Sequence, residues 1–251
     1  MKNDSPLADI RIGLVTRQWA EAQKIKFDYS VQIDSTNAKA KLNAFSDESL
    51  NEHLIIYLTD QQSAGRGRGQ NTWSQADKGS QLLSTWSFMI DQPALPTLSP
   101  QIGLAVFRAA QATWPFLNFS LKAPNDLFVD DRKIAGLLLE TLSQGADHRL
   151  NIGFGMNVIA SPSDVTTAIS LVEAFDEETP LLAEDWIAFL ERLLFEFSFA
   201  LQLSFEPLNT TTTAALLTAL NQHPLLKEKY VGLDPKGNLQ TSTRKISWAD
   251  L

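Results

Sequence analysis

The sequence predicts an α+β domain, a mixed β-sheet flanked by helices, with a reduced β appendage at its C-terminal end. Three observations lead there. Apolar runs of strand length are grouped, with helical stretches interspersed among them. Leu127-Phe128-Val129 and Ile134 to Thr141 flank the turn Asp130-Asp131-Arg132, the pattern of a hairpin. The 251 residues, 44% hydrophobic and 20% charged, are enough for one large core. That core is expected over residues 1–222. The remainder, 223–251, is 29 residues long, too few for a core of its own.

The elements follow in order. Arg17 to Lys26 is weakly amphipathic. Asp34-Ser35-Thr36-Asn37 is a cluster of helix-capping residues, so a helix starts there. Leu54 to Leu58 reads as a buried strand, Asp60 to Gly79 as a polar glycine loop, and Leu82 to Ile90 as a second strand. Pro93, Pro96 and Pro100 lead into a helix over Ile102 to Thr113. Asn118 to Lys122 is a strand broken at Pro124, because proline cannot donate to a ladder. The hairpin comes next, and then a strand over Arg149 to Ile159. Helices are expected over Glu184 to Phe205 and Thr212 to Asn221. Val231 to Leu239 reads as a small hairpin that carries the tail. Glu173 to Arg192 holds seven acidic residues and one basic residue, which reads as a solvated acidic face.

Composition excludes several classes of function. The net charge of −8 argues against a broad nucleic-acid surface. Without cysteine there is no disulfide, no thiolate nucleophile and no cysteine-based metal site. His53, His148 and His223 lack zinc spacing. Met1 to Val15 has no signal-peptide pattern, and no run of about 18 apolar residues exists to span a membrane. A cytoplasmic protein is expected.

Three segments carry chemistry. Gly65-Arg66-Gly67-Arg68-Gly69 packs three of the 12 glycines into five residues. Glycine lets the backbone approach a ligand, and arginine pairs with carboxylate or phosphate. The segment reads as a wrapping loop for a small anion, or else as a mobile basic loop or a segment of RNA-binding type. Trp73 closes it and either stacks on a base or caps the core. In Ile152 to Val158, a period of two leaves Gly153, Gly155 and Asn157 on one face. A bare glycine face marks a close approach, by a ligand or by an abutting element. In Lys122-Ala123-Pro124-Asn125-Asp126, Pro124 exposes Asn125 and Asp126. Asp126 supplies a hard oxygen suited to Mg²⁺, and Lys133 follows at the next strand. An ordinary hairpin turn with solvated charges is the other reading. Together the segments fit a reaction in which the protein supplies charge and position but no nucleophile, such as phosphoryl or nucleotidyl transfer. No P-loop motif is present.

Five motifs stand in one order: Ser35-Thr36-Asn37; Gln62 to Arg68 with Trp73; Lys122-x-Pro124-Asn125-Asp126; Lys133-Ile134-Ala135-Gly136 with Glu140; and Gly153-x-Gly155-x-Asn157. The series resembles the biotin protein ligases, densely from Phe27 to Val158. The resemblance implies a biotin/lipoate ligase-like catalytic domain. It implies that biotin reacts with ATP, assisted by Mg²⁺, to give biotinyl-5′-AMP, and that biotin then passes to a lysine of a biotin carboxyl carrier domain. Catalytic roles fall to Lys133 and Arg68. The implied biotin set is Ser35, Thr36, Asn37, Gln62, Gly65, Arg66, Gly67, Arg68, Lys133, Gly136 and Leu138. Arg68, Trp73, Asn125, Lys133 and Asn157 fall on the ATP side; Asp126, read from its own chemistry, stays the candidate Mg²⁺ ligand. It further implies a short form without a DNA-binding domain; no DNA partner is expected, no membrane partner is expected from the lack of a long apolar run, and a monomer or homodimer is expected. This chain has Gly69, Gln70 and Asn71 where the family loop usually continues with a glycine and a basic residue, and Ala123 where tryptophan is usual. The C-terminal barrel of the family is expected to be cut down to the hairpin. Two other functions compete: a lipoate or octanoate ligase of the same superfamily, and a non-catalytic biotin- or nucleotide-binding protein. Polar Ser35-Thr36-Asn37 favours biotin, because a ureido ring needs polar partners and a thin acyl chain needs few.

Overall fold

The structure is a computed structural model that describes residues 11–176 and 180–248. Two compact units divide the chain. The first comprises 1–93 and 134–187, and the second 94–133 and 188–251. Glu177 and Glu178 of the expected acidic face lie outside the described residues; Glu173, Asp176, Glu184 and Glu191 are exposed.

In the first unit the order is α1 (Ile12–Ala22), β1 (Lys26–Ser30), α2 (Thr36–Asn43), α3 (Asp47–Leu50), β2 (Leu54–Thr59) and β3 (Gln81–Ile90). The second unit then contributes α4 (Leu98–Thr113), β4 (Phe119–Lys122) and β5 (Asp126–Val129). The chain re-enters the first unit along β6 (Arg132–Gln144), continuing through β7 (Asp147–Asn157) and α5 (Leu171–Ala174). Strands here run in the order β1-β2-β3-β7-β6. β1 pairs parallel to β2 and the remaining neighbours are antiparallel, so the sheet is mixed. Alternation along β3 sets the layers. Trp86 meets Trp19 of α1, with ring centroids 5.8 Å apart, while its neighbour Thr85 bonds Thr36 and Asn37 of α2. Successive side chains point to opposite faces, so α1 and α2 cover opposite sides of the sheet. The helix α6 (Ala183–Gln202) starts on the α1 side, where Trp186 Nε1 donates to Thr16 Oγ1 at 3.1 Å. Arg149 of β7 is fully buried and donates to the carbonyls of Ser87, Ser49 and Glu52. Burial lowers its pKa.

The second unit packs α4 and most of α6 with the antiparallel pair β4–β5, α7 (Thr210–Asn221) and three two-residue strands. Trp114 stacks on Phe189 with centroids 5.0 Å apart, and His223 meets the Phe128 ring at 4.7 Å. Lys122 and Asp126 pair at the end of the β4–β5 ladder, on either side of Pro124. The expected tail hairpin is β8 (Gly232–Leu233) with β9 (Leu239–Gln240), and β10 (Lys245–Ile246) adds a third strand. Asp234 organises its turn. Its carboxylate accepts from the backbone N–H of Lys236 at 2.9 Å and of Asn238 at 2.8 Å, and it pairs with Lys245.

The elements expected from the sequence are present, with shifted ends. The first helix covers Ile12–Ala22 rather than Arg17 to Lys26, and β1 occupies Lys26–Ser30 with no prior expectation of a strand. Two charged residues in five hide that strand, whose partner lies about 30 residues on in β2.

Candidate active site

The site face of the first unit is built on cross-strand rows. Thr85, Gly153 and Leu138 are neighbours across β3, β7 and β6; so are Leu83, Gly155 and Gly136. Such residues share one face of the sheet. Over the first row sits the N-terminus of α2. Ser35 is its N-cap, with Oγ accepting from Ala38 N at 3.4 Å. Thr36 donates its backbone N–H to Gln62 Oε1 at 2.8 Å, and Gln62 also pairs with Ile33 in a parallel bridge. Ser35, Thr36, Asn37 and Gln62 are all buried. The amide oxygen of Gln62 faces Thr36, so its nitrogen is the end left for another acceptor.

The two glycines of the β7 face are explained by what abuts them. A Cβ on Gly153 would lie 2.1 Å from Asn37 Oδ1, and one on Gly155 would lie 2.8 Å from the Trp73 ring. Of the two approaches left open by the sequence, the abutting one is observed, by side chains of α2 and of the glycine loop. Trp73 therefore packs directly against the sheet at Gly155.

The glycine loop closes on itself. Gly67 N donates to Asn71 O at 2.8 Å, Trp73 N donates to Gly65 O at 3.0 Å, and Arg66 bridges Thr72. Arg66 reaches back to β6, with Nη1 3.2 Å from Glu140 Oε1. Arg68 is half-buried in the same loop. Beyond it, Gln81 secures the base of the loop. Its Oε1 accepts from Ala76 N at 3.0 Å and its Nε2 donates to Asn157 Oδ1 at 2.7 Å. Asn157 is buried and donates in turn to Ile169 O at 3.1 Å.

Thus Ser35, Thr36, Asn37, Gln62, Gly65, Arg66, Gly67, Arg68, Trp73, Gly136, Leu138 and Asn157 all belong to the first unit. Asn125, Asp126 and Lys133 belong to the second, where Lys133 Nζ lies 2.7 Å from Asp126 Oδ1. Among the described residues, no group of three or more His, Asp or Glu side chains is placed to hold a metal ion. Asp126 offers one carboxylate, already paired with Lys133; Mg²⁺ keeps much of its water and binds chiefly through substrate phosphates, so a single protein ligand of this kind is compatible with it. Thr85, Glu140 and Gln81 join the polar network without having been assigned to it from sequence. Glu140 stands inside one of the five motifs, but Thr85 and Gln81 sit in a strand that reads as ordinary core.

This arrangement can be set against known proteins. Residues 29–157 match the model of the biotin/lipoate A/B protein ligase family, more than half of the chain. The chain belongs to this family. Among curated biotin/lipoate ligase family relatives, the biotin–[acetyl-CoA-carboxylase] ligase of Mycobacterium tuberculosis is 31% identical over 144 residues, 56% of this chain and 52% of that protein. Biotin–protein ligase 1, chloroplastic, of Arabidopsis thaliana is 31% identical over 108 residues, 41% of this chain and 29% of that one. The chain therefore spans about half the length of these relatives, or less. Among solved structures, biotin protein ligase from Aquifex aeolicus in complex with biotin and ATP has a TM-score of 0.65 at 22% identity, covering 88% of this chain and 95% of that one. The Leishmania major biotin protein ligase in complex with biotinyl-5-AMP gives 0.55 at 21% identity, covering 88% and 95%. These likenesses establish the biotin protein ligase fold for the chain.

Proposed function

We propose that this member of the family is a biotin protein ligase that uses ATP to attach biotin to a biotin carboxyl carrier domain in the cytoplasm. The observation that carries the reading is the Thr36–Gln62 pair. It is a buried polar floor beside a loop bearing two arginines, and it suits a polar ring head better than a bare acyl chain. Relatives named as biotin ligases support the same substrate.

In this reading the biotin carboxylate attacks the α-phosphorus of ATP. A C–O–P anhydride forms, the bond to the β-phosphate breaks and pyrophosphate leaves. The acceptor lysine amine, having lost a proton, then attacks the acyl carbon. A C–N bond forms, the C–O bond breaks and AMP departs. Thr36 and Gln62 hold the ureido head, with Ser35, Asn37, Gly136 and Leu138 completing that side. Gly65, Arg66, Gly67 and Arg68 form the loop over biotin and the adenylate. Lys133 opposes the charge that grows between carboxylate and α-phosphate, which is how such reactions are catalysed. Trp73, Asn125 and Asn157 serve the nucleotide. Asp126 would hold Mg²⁺, and the ion would neutralise phosphate charge.

Incubation with ATP, Mg²⁺ and biotin, read by mass spectrometry, tests this. Biotinyl-5′-AMP is the expected product. An adenylate from octanoate but not from biotin would move the chain to the lipoate side of the family. No adenylate from either would leave a non-catalytic binding protein.

A further inference from the structure

One unbroken chain of polar contacts runs beneath Thr36 and Arg66. Arg66 Nη1 is 3.2 Å from Glu140 Oε1, and Glu140 Oε2 accepts from Asn37 Nδ2 at 3.1 Å. Asn37 Oδ1 accepts from Thr85 Oγ1 at 2.7 Å, and Thr85 Oγ1 lies 2.9 Å from Thr36 Oγ1. The orientation of the Asn37 amide follows from its neighbours. Its nitrogen faces two groups that can only accept, the Glu140 carboxylate and Leu138 O at 3.3 Å. Both amide protons are therefore engaged inside the protein. The oxygen is closed off by Thr85 and by the bare Cα of Gly153. Thr85 has no exposed surface at all. Neither residue is placed to touch a ligand.

We propose that Thr85, Asn37 and Glu140 are positioning residues, a hydrogen-bonded strut that holds Thr36 on α2 and Arg66 of the glycine loop in one arrangement. The inference rests on the reading of Thr36 and Arg66 as biotin contacts. It assigns Asn37 to the support of the site rather than to the ligand. Cutting the strut anywhere releases both ends, so cuts at two points act as one.

The test uses the full chain with the variants Thr85→Val, Thr85→Ser, Glu140→Gln and the double Thr85→Val/Glu140→Gln. Each of the two cuts should raise KM for biotin about tenfold, as expected when a polar contact that fixes a ligand-binding group is lost. The KM for biotin should rise more than the KM for ATP, because Thr36 and Arg66, the two residues displaced, are both read as biotin contacts. Thr85→Ser restores the hydroxyl and should restore KM. The double variant should match the worse single variant, whereas independent effects would multiply to about a hundredfold. Glu140 is partly exposed, so Glu140→Gln carries the comparison if Thr85→Val fails to fold. Trypsin cleavage after Arg66, without ligand, reads the strut independently and should be faster in both single variants than in wild type. Unchanged biotin KM in the folded single variants, a multiplicative double variant, or unchanged cleavage would each overturn the proposal. A wild-type chain that makes no biotinyl-5′-AMP, with cleavage accelerated in the variants, would overturn the functional reading and leave the strut standing.

Discussion

Replacing Gly153 with alanine adds one methyl group where the structure has no room. The new Cβ would lie 2.1 Å from Asn37 Oδ1 and 2.8 Å from its Cγ. Ordinary non-bonded contact begins at ~3.5 Å, so the Asn37 amide must retreat by roughly 1.4 Å. It cannot do so freely, since it is buried and bonded to Thr85, Leu138 O and Glu140. Overpacking alone costs about 1–3 kcal/mol, and each lost internal hydrogen bond adds about 1 kcal/mol. We expect Gly153→Ala to lose about 2–4 kcal/mol, a large share of the ~5–15 kcal/mol that holds a typical domain together. Gly103, inside α4, is the control. A Cβ there meets nothing within 4 Å, and its backbone is helical. Gly103→Ala should gain about 0.5–1 kcal/mol from the lower entropy of the unfolded chain. Urea unfolding of wild type and both variants, followed by tryptophan fluorescence, measures the two shifts. Opposite signs are expected from the same chemical change. A Gly153→Ala protein unfolding at the wild-type midpoint would refute the packing of Asn37 against β7.

Other outcomes are expected as well. Lys133→Ala should slow single-turnover biotinyl-5′-AMP synthesis about a hundredfold to a thousandfold, with Lys133→Arg rescuing only in part; retention of more than about a tenth of the rate would remove Lys133 from the role of charge stabiliser. Thr36→Val and Gln62→Ala should each weaken biotin binding by about 1–3 kcal/mol in calorimetry, and affinity unchanged from wild type in both would take the pair out of the site. Burial, then the Asp60 carboxylate that accepts its hydroxyl proton at 2.7 Å, pushes the pKa of Tyr29 from 10.0 up to about 12. An unfolded chain gives up this proton first, so the contribution is complete below pH 10 and disappears as pH rises through about 12. Tyr29→Phe should flatten that alkaline decline in stability, and an unchanged slope between wild type and variant would count against the pairing.

Local chemistry made part of this legible in the sequence. Ser35 could be read as a cap because capping involves only the next few residues, and its Oγ does bond Ala38 N. The β5–β6 turn and the apolar β2 and β3 runs are likewise short-range patterns. The ordered motifs from Ser35 to Asn157 pointed to the family that the chain belongs to. Non-local pairing decided the rest. The sequence marked Gly153 and Gly155 as places of close approach, but what approaches them is set by strand register and by how α2 and the loop return over β7. Thr85 looks like any residue of a buried strand until Thr36 and Asn37 arrive from 48 or more positions away. Glu140 acquires its role only when Asn37, 103 positions distant, and Arg66, 74 positions distant, meet it. A polar side chain carries its donors and acceptors in the sequence, and only the folded chain decides which partners reach them.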